Sequence, residues 1–239
     1  MDILIIGLLL GGTYALIAMG LNLQYGVARI MNLANGEMLV AGGFTAFWFY
    51  TAGNISPLLT IFIVAPVAFG ANWLIYRIML EPLVRRAKTR GQLEVDSILA
   101  TFGMSFIAVG LMLAFFGGDY FNYSFLALPM TIMGETYAQN RVVAFVSAVV
   151  ICAILFVWIT YSRPGLSLRA LAVSPESARL VGINVRQRAA IAFALGGAIT
   201  AVGGALISSF LTLDASAGVA FTLKALIIAM RKDTLQGTK

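Results

Sequence analysis

Long apolar stretches without charge are the feature of this sequence that most limits its fold. Windows of about 20 residues that contain no acidic or basic side chain recur along the chain, and a helix of that length crosses a hydrocarbon core of roughly 30 Å. Of the 239 residues, 60% are hydrophobic and 11% are charged, whereas a soluble domain carries about 25% charged residues. The sequence therefore predicts an all-α, polytopic helical membrane protein.

The apolar segments predict six membrane spans plus a short, incomplete seventh. The predicted spans are residues 3–24, 31–51, 57–76, 97–117, 142–161 and 189–211, and the short run is 217–230. Together they predict a transmembrane domain over 1–230, followed by a short polar tail over 231–239. The first run is interpreted as a retained span, because Asp2 stands where a secretory signal carries Lys or Arg.

Basic residues are concentrated in two connections, 77–96 and 162–188. The basic residues of these connections are Arg77, Arg85, Arg86, Lys88, Arg90, Arg163, Arg169, Arg179, Arg186 and Arg188. Because cytoplasmic connections collect Lys and Arg, both are predicted to be cytoplasmic, which places the N-terminus outside. This topology accounts for the net charge of +6 without a nucleic-acid partner.

The composition also excludes several kinds of catalytic chemistry. The chain contains no histidine and a single cysteine, so histidine-dependent nucleophiles, proton relays and metal sites are absent. No lysine follows a glycine, as a phosphate-binding P-loop requires. We therefore predict no catalytic residue, no metal site and no bound cofactor, and any ATP used must be held by a partner subunit.

Small residues line two faces of the span 189–211. One face carries Gly196 and Gly204, and the neighbouring face carries Gly197 and Ala201. Such faces let helices approach closely in lipid, where burial of apolar surface gives little drive for association. We interpret them as helix packing within the chain, in preference to a dimer interface.

The second basic connection contains a predicted short helix over about 175–181. Ser174 suits its N-cap, Glu176 complements the helix dipole, and Gly182 suits its C-terminal stop. Ala178 and Val181 are expected to be exposed. The helix either lies on the membrane or beneath the bundle, or it docks into a cleft of a soluble partner.

A polar stretch, MNLANGE at 31–37, lies where the second span is predicted to begin. The apolar remainder gives only about 21 Å of helix, so Asn32, Asn35 and Glu37 are drawn to membrane depth. One regular helix cannot point all three side chains in one direction, and Gly36 permits an irregular backbone there.

Two interpretations of this stretch remain, and we favour the first. In the architectural interpretation, Asn32 or Asn35 caps the following helix and Glu37 lies in its first turn, with Asn22, Gln24 and Tyr25 as polar neighbours. In the other interpretation, these groups line a translocation path, where a zwitterionic substrate needs both donors and acceptors.

Four blocks resemble the permease family of branched-chain amino acid ABC importers. The blocks are GGTYALIAMG (11–20), YGVARIMNLANGE (25–37), YSRPG (161–165) and RALAVSPESARLVGIN (169–184). In the last block, Glu176, Ala178 and Gly182 are spaced as in the family's loop that seats against the ATPase, although Ser177 replaces an alanine. Asn35 stands where the family usually carries histidine, and the chain is shorter than the family at its C-terminus.

The resemblance implies a non-catalytic subunit that imports leucine, isoleucine and valine across the bacterial inner membrane by alternating access. It implies a second permease-type subunit, identical or different, two cytoplasmic ATPases that bind the ATP, and an external substrate-binding protein. The alternatives are a urea or short-chain amide permease of the same family, an ATP-independent secondary transporter, or a truncated fragment that does not transport.

Overall fold

The structure of the chain, a computed structural model, is built from helices. It describes residues 2–87, 89–123, 125–132 and 135–236. The helices are α1 (Asp2–Leu23), α2 (Asn35–Gly53), α3 (Pro57–Ile75), α4 (Glu81–Arg86), α5 (Arg90–Phe116), α6 (Gln139–Tyr161), α7 (Arg163–Val173), α8 (Pro175–Leu180), α9 (Val185–Ile207) and α10 (Ala217–Gln236). Two π-helical turns, Gln24–Ala28 and Tyr76–Leu80, extend α1 and α3. An antiparallel hairpin pairs β1 (Pro129–Ile132) with β2 (Glu135–Ala138).

Five helical stretches of the described chain are long and apolar enough to cross a membrane, which confirms an all-α polytopic protein. They are Leu4–Ala28, Pro57–Arg86, Gly91–Phe116, Gln139–Tyr161 and Val185–Ile207. The predicted count of six is not confirmed. Helix α2 is not among the five, and the polar residues Asn35 and Glu37 lie in its first turn. The seventh run appears as a shorter apolar helix, Ala217–Ile227.

The two basic connections are more helical than predicted. Most of 77–96 continues the helices on either side of it, through α4 and the first turns of α5. The connection 162–188 contains α7 in addition to the predicted short helix. Pro164 and Gly165 look like a turn, but Ser162 caps α7 by accepting from the Gly165 N–H at 3.0 Å. Lys88 and the tail residues 237–239 lie outside the described residues, and α10 continues through 231–236.

Helix α9 is the centre of the bundle. In its most apolar window 89% of the residues are buried, against 39% for α1 and 17% or less for the other three candidate spans. It packs against α1, α2 and α3. Two apolar clusters result: one includes Leu16, Tyr76 and Phe193, and the other includes Leu39 and Phe44.

The small residues of α9 make this packing possible, as the sequence predicted. A Cβ at Gly196 would overlap the Gly20 carbonyl of α1, and one at Gly204 would overlap the Leu39 carbonyl of α2. Gly197 lies against Asn72 of α3, and the Ala201 backbone lies where Gly42 of α2 approaches. Close backbone contact replaces the hydrophobic drive that is missing in lipid.

Candidate functional site

A group of buried polar side chains, which we call the polar cluster, lies where the ends of α1 and α2 meet α9 and α10. All of its members are at most 3% exposed: Gln24, Asn32, Asn35, Glu37, Thr200 and Thr222. The structure therefore brings together three residues of the predicted polar stretch with partners distant in sequence.

The chain enters α2 through an irregular segment at 29–34, as predicted. Arg29 has a left-handed backbone, with φ 58°, and its N–H donates to the Tyr25 carbonyl at 3.0 Å. The Asn32 amide donates to Gln24 Oε1 at 3.1 Å, and its oxygen accepts from the Ala34 N–H at 3.0 Å. Thr101 of α5 supports the same segment by accepting from the Leu33 N–H at 3.1 Å. Side chains thus satisfy backbone groups that a helix would otherwise pair.

The capping prediction is wrong in detail. Helix α2 begins at Asn35, its N-cap is Ala34, and no side chain provides a cap hydrogen bond. Asn32 instead stabilises the turn before the helix, and Asn35 reaches across to α9. Asn22 lies outside the polar cluster because its side chain is exposed. Gln24, named as a neighbour from the sequence, is a member.

Asn35 and Gly36 connect the start of α2 to α9 and α10. The Thr200 hydroxyl lies 3.1 Å from Asn35 Oδ1 and 3.0 Å from the Gly196 carbonyl, and its single proton can serve one of them at a time. The Gly36 N–H donates to Thr222 Oγ1 at 2.7 Å. A Cβ at Gly36 would overlap the Gly218 carbonyl, so α2 and α10 touch through their backbones.

Glu37 lies in the first turn of α2, as predicted, and is the exceptional member of the polar cluster. Its side chain is 0% exposed, and neither carboxylate oxygen has a hydrogen-bond partner among the described residues. The carboxylate lies against Gly218, where a Cβ would overlap it. The Nδ2 of Asn35 is also buried without a partner. Burial of an unpartnered carboxylate opposes folding, so this group contributes nothing to stability as it stands.

Helix α8 forms the second candidate site, and its ends match the prediction. Ser174 Oγ accepts from the Ser177 N–H at 3.2 Å. At the other end, Gly182 has φ 78°, its N–H donates to the Arg179 carbonyl, and the Ile183 N–H donates to the Ala178 carbonyl. This is a Schellman motif, which needs a left-handed residue at the Gly182 position.

The two faces of α8 differ from the prediction in one residue. Ala178 is 2% exposed and packs inward, whereas it was predicted to be exposed. Leu180 and Val181 are 88% and 73% exposed, and Glu176 is exposed at the first turn. Helix α8 therefore holds two apolar side chains in water, fixed by caps at both of its ends.

Sequence reasoning missed Thr222, Thr101 and Gly218 as parts of the polar cluster. Each lies in an apolar run and carries no charge, and nothing local in the sequence connects it to residues 29–37. Thr200 was noted only as a small residue of α9. Hydroxyl side chains in predicted spans are the signal available, because a buried hydroxyl needs a partner.

Comparisons with known proteins agree on one family. Residues 3–230 match the model described as branched-chain amino acid transport system / permease component. The high-affinity branched-chain amino acid transport system permease protein LivH of Escherichia coli is 28% identical over 218 residues, which are 85% of this chain and 69% of the relative. The similarly named BraD of Pseudomonas aeruginosa gives the same values. The probable branched-chain amino acid transport permease protein LivH of Methanocaldococcus jannaschii is 26% identical over 80% of this chain and 61% of the relative. No solved structure matches the chain significantly.

Proposed function

Because the chain belongs to the family of permease components of branched-chain amino acid transport systems, we propose that it is the membrane subunit of an ATP-driven importer for leucine, isoleucine and valine. The match over residues 3–230, which includes the polar cluster and α8, is the observation that carries this proposal. The chain is a transport subunit and not an enzyme.

The subunit works with partners that supply what it lacks. In our proposal a second permease-type subunit completes the path, two ATPases on the cytoplasmic side bind and hydrolyse the ATP, and an external binding protein delivers the substrate. The basic connections face the cytoplasm and the N-terminus faces outward. Helix α2 completes a sixth crossing, because its polar first turn lies within the protein and not against lipid.

Helix α8 couples the ATPases to the spans in this proposal. Its exposed Leu180 and Val181 enter a cleft of the ATPase, and its caps keep it rigid. Movement of the ATPase passes through α8 to α7, against which it packs, and to α9 at the centre of the bundle. The spans then rock between the outward-open and inward-open arrangements.

The members of the polar cluster have two roles in this proposal. The hydrogen bonds of Asn32 and Asn35 support the architectural interpretation, because they fix the irregular entry to α2 against α1 and α9. Glu37 has no such partner. We assign it to the translocation path, where a carboxylate can hold the ammonium group of an amino acid when α10 moves away from α2.

Recovery of the ATPase with the tagged chain tests the proposed function. Leu180→Glu places a charge in the apolar contact and is expected to reduce recovery by about tenfold or more. Leu166→Glu is the matched control, since Leu166 is 59% exposed in the same connection but lies on α7. Equal loss in both variants contradicts the assignment to α8, and uptake that persists without any ATPase contradicts the importer.

A further inference from the structure

A cavity of about 330 Å³ lies at the basic end of the bundle, apart from the polar cluster. Val27, Val84 and Leu171 contribute to an apolar wall. Arg29, Arg179 and Arg186 contribute positive charge to the same cavity. It is therefore amphipathic, and its charged part has one sign.

The ends of three candidate spans place this cavity at the boundary between hydrocarbon and water. The stretch Leu4–Ala28 ends there, Pro57–Arg86 ends there, and Val185–Ile207 begins there. The α7–α8 connection closes the cavity from the aqueous side, through Leu171 and Arg179. A ligand in it has access to both the headgroup layer and the acyl layer of a bilayer.

The positive charge of the cavity is not neutralised within the described part of the chain. Glu81 is the acidic residue of the lining, and it is engaged by Arg85 at 2.7 Å and Arg77 at 3.4 Å. The salt bridges of the described residues do not include Arg29, Arg179 or Arg186. Arg29 donates one hydrogen bond, from Nη2 to the Ala172 carbonyl at 2.8 Å, and its Nε is buried without a partner.

We propose that this cavity binds an anionic phospholipid, with the phosphate on the arginines and an acyl chain along the apolar wall. Basic pockets between membrane helices on the cytoplasmic side suit such headgroups. A free phosphate ion would use only the arginines, whereas the valine and leucine side chains favour an amphiphile. The proposal is independent of which substrate the protein transports.

Lipid titration of the full chain in neutral detergent, followed by native mass spectrometry, tests the proposal. The probes are dioctanoyl phosphatidylglycerol, dioctanoyl phosphatidylcholine and inorganic phosphate. Phosphatidylglycerol is expected to bind at least about tenfold more tightly than phosphatidylcholine. The double variant Arg179→Gln/Arg186→Gln is expected to bind phosphatidylglycerol roughly 30-fold more weakly.

Arg163→Gln is the matched control, because Arg163 is an exposed arginine of the same connection that does not line the cavity. It is expected to bind phosphatidylglycerol as the unchanged protein does. Equal binding of the two lipids by the unchanged protein would overturn the proposal, and this measurement requires no variant. Equal loss in the control and the double variant, or competition by inorganic phosphate at the concentration of the lipid, would overturn it as well.

Discussion

Helices α8 and α9 are neighbours in the chain, yet their surroundings are opposite. Helix α9 is 89% buried in its most apolar window and is held by close backbone contacts with α1 and α2. Helix α8 has Leu180 88% exposed and is held by Ser174 at one end and Gly182 at the other. The stability of α9 therefore depends on distant segments, and that of α8 depends on residues adjacent in sequence. Four variants test this difference, from the largest expected change in stability to the smallest.

Gly204→Ala is expected to have the largest effect. The new methyl group would overlap the Leu39 carbonyl of α2, and neither backbone can move without disturbing the bundle. We expect the free energy of unfolding in detergent to fall by about 3 kcal/mol. Gly103→Ala is the control: no atom lies within 4 Å of a Cβ on that helical residue. The control is expected to be neutral or to gain up to about 1 kcal/mol, and equal losses would refute the packing argument.

Thr222→Val tests the contact between α2 and α10. The valine keeps the shape of the side chain but removes the acceptor of the Gly36 N–H, which lies 2.7 Å from Thr222 Oγ1. We expect a loss of about 2 kcal/mol, because a buried N–H is left unsatisfied. Thr222→Ser keeps the hydroxyl and is expected to retain most of the stability. A serine variant as unstable as the valine variant would assign the effect to packing instead.

Ser174→Ala is expected to act only locally. Loss of the cap costs about 1 kcal/mol of helix stability, which should appear as faster amide hydrogen exchange in α8 with no change in global unfolding. Recovery of the ATPase should fall by about threefold to fivefold. Ser174→Asp restores a capping acceptor and should restore both properties. A change in the exchange of α9 amides would show that the two helices are not independent.

Glu37→Gln is expected to change stability least and transport most. The carboxylate makes no hydrogen bond among the described residues, so its replacement should leave the free energy of unfolding unchanged within about 0.5 kcal/mol or raise it. Uptake in the complete importer should fall by about tenfold or more. Loss of stable protein, with uptake per folded molecule unchanged, would return Glu37 to the architectural interpretation.

Local rules predicted a large part of what the structure contains. Ser174 and Gly182 bound α8 as expected, because caps and left-handed positions act within a few residues. The predicted break before α2 is present at 29–34 for the same reason. The specific cap was wrong, since the side chain of Asn35 contacts Thr200 instead of its own helix. Local propensity could not anticipate this partner, which is supplied by another span.

The sequence by itself determined that this protein is a helical membrane protein, because uncharged runs of spanning length have few other solutions in a bilayer. It also determined the short helix α8, whose signals are contiguous. Only the tertiary structure decided that α9 is central, that Thr222 meets Gly36, and that Glu37 is left without a partner. Those contacts join segments far apart in sequence, and an apolar span has no charge or periodicity that reports which of its faces meets which neighbour.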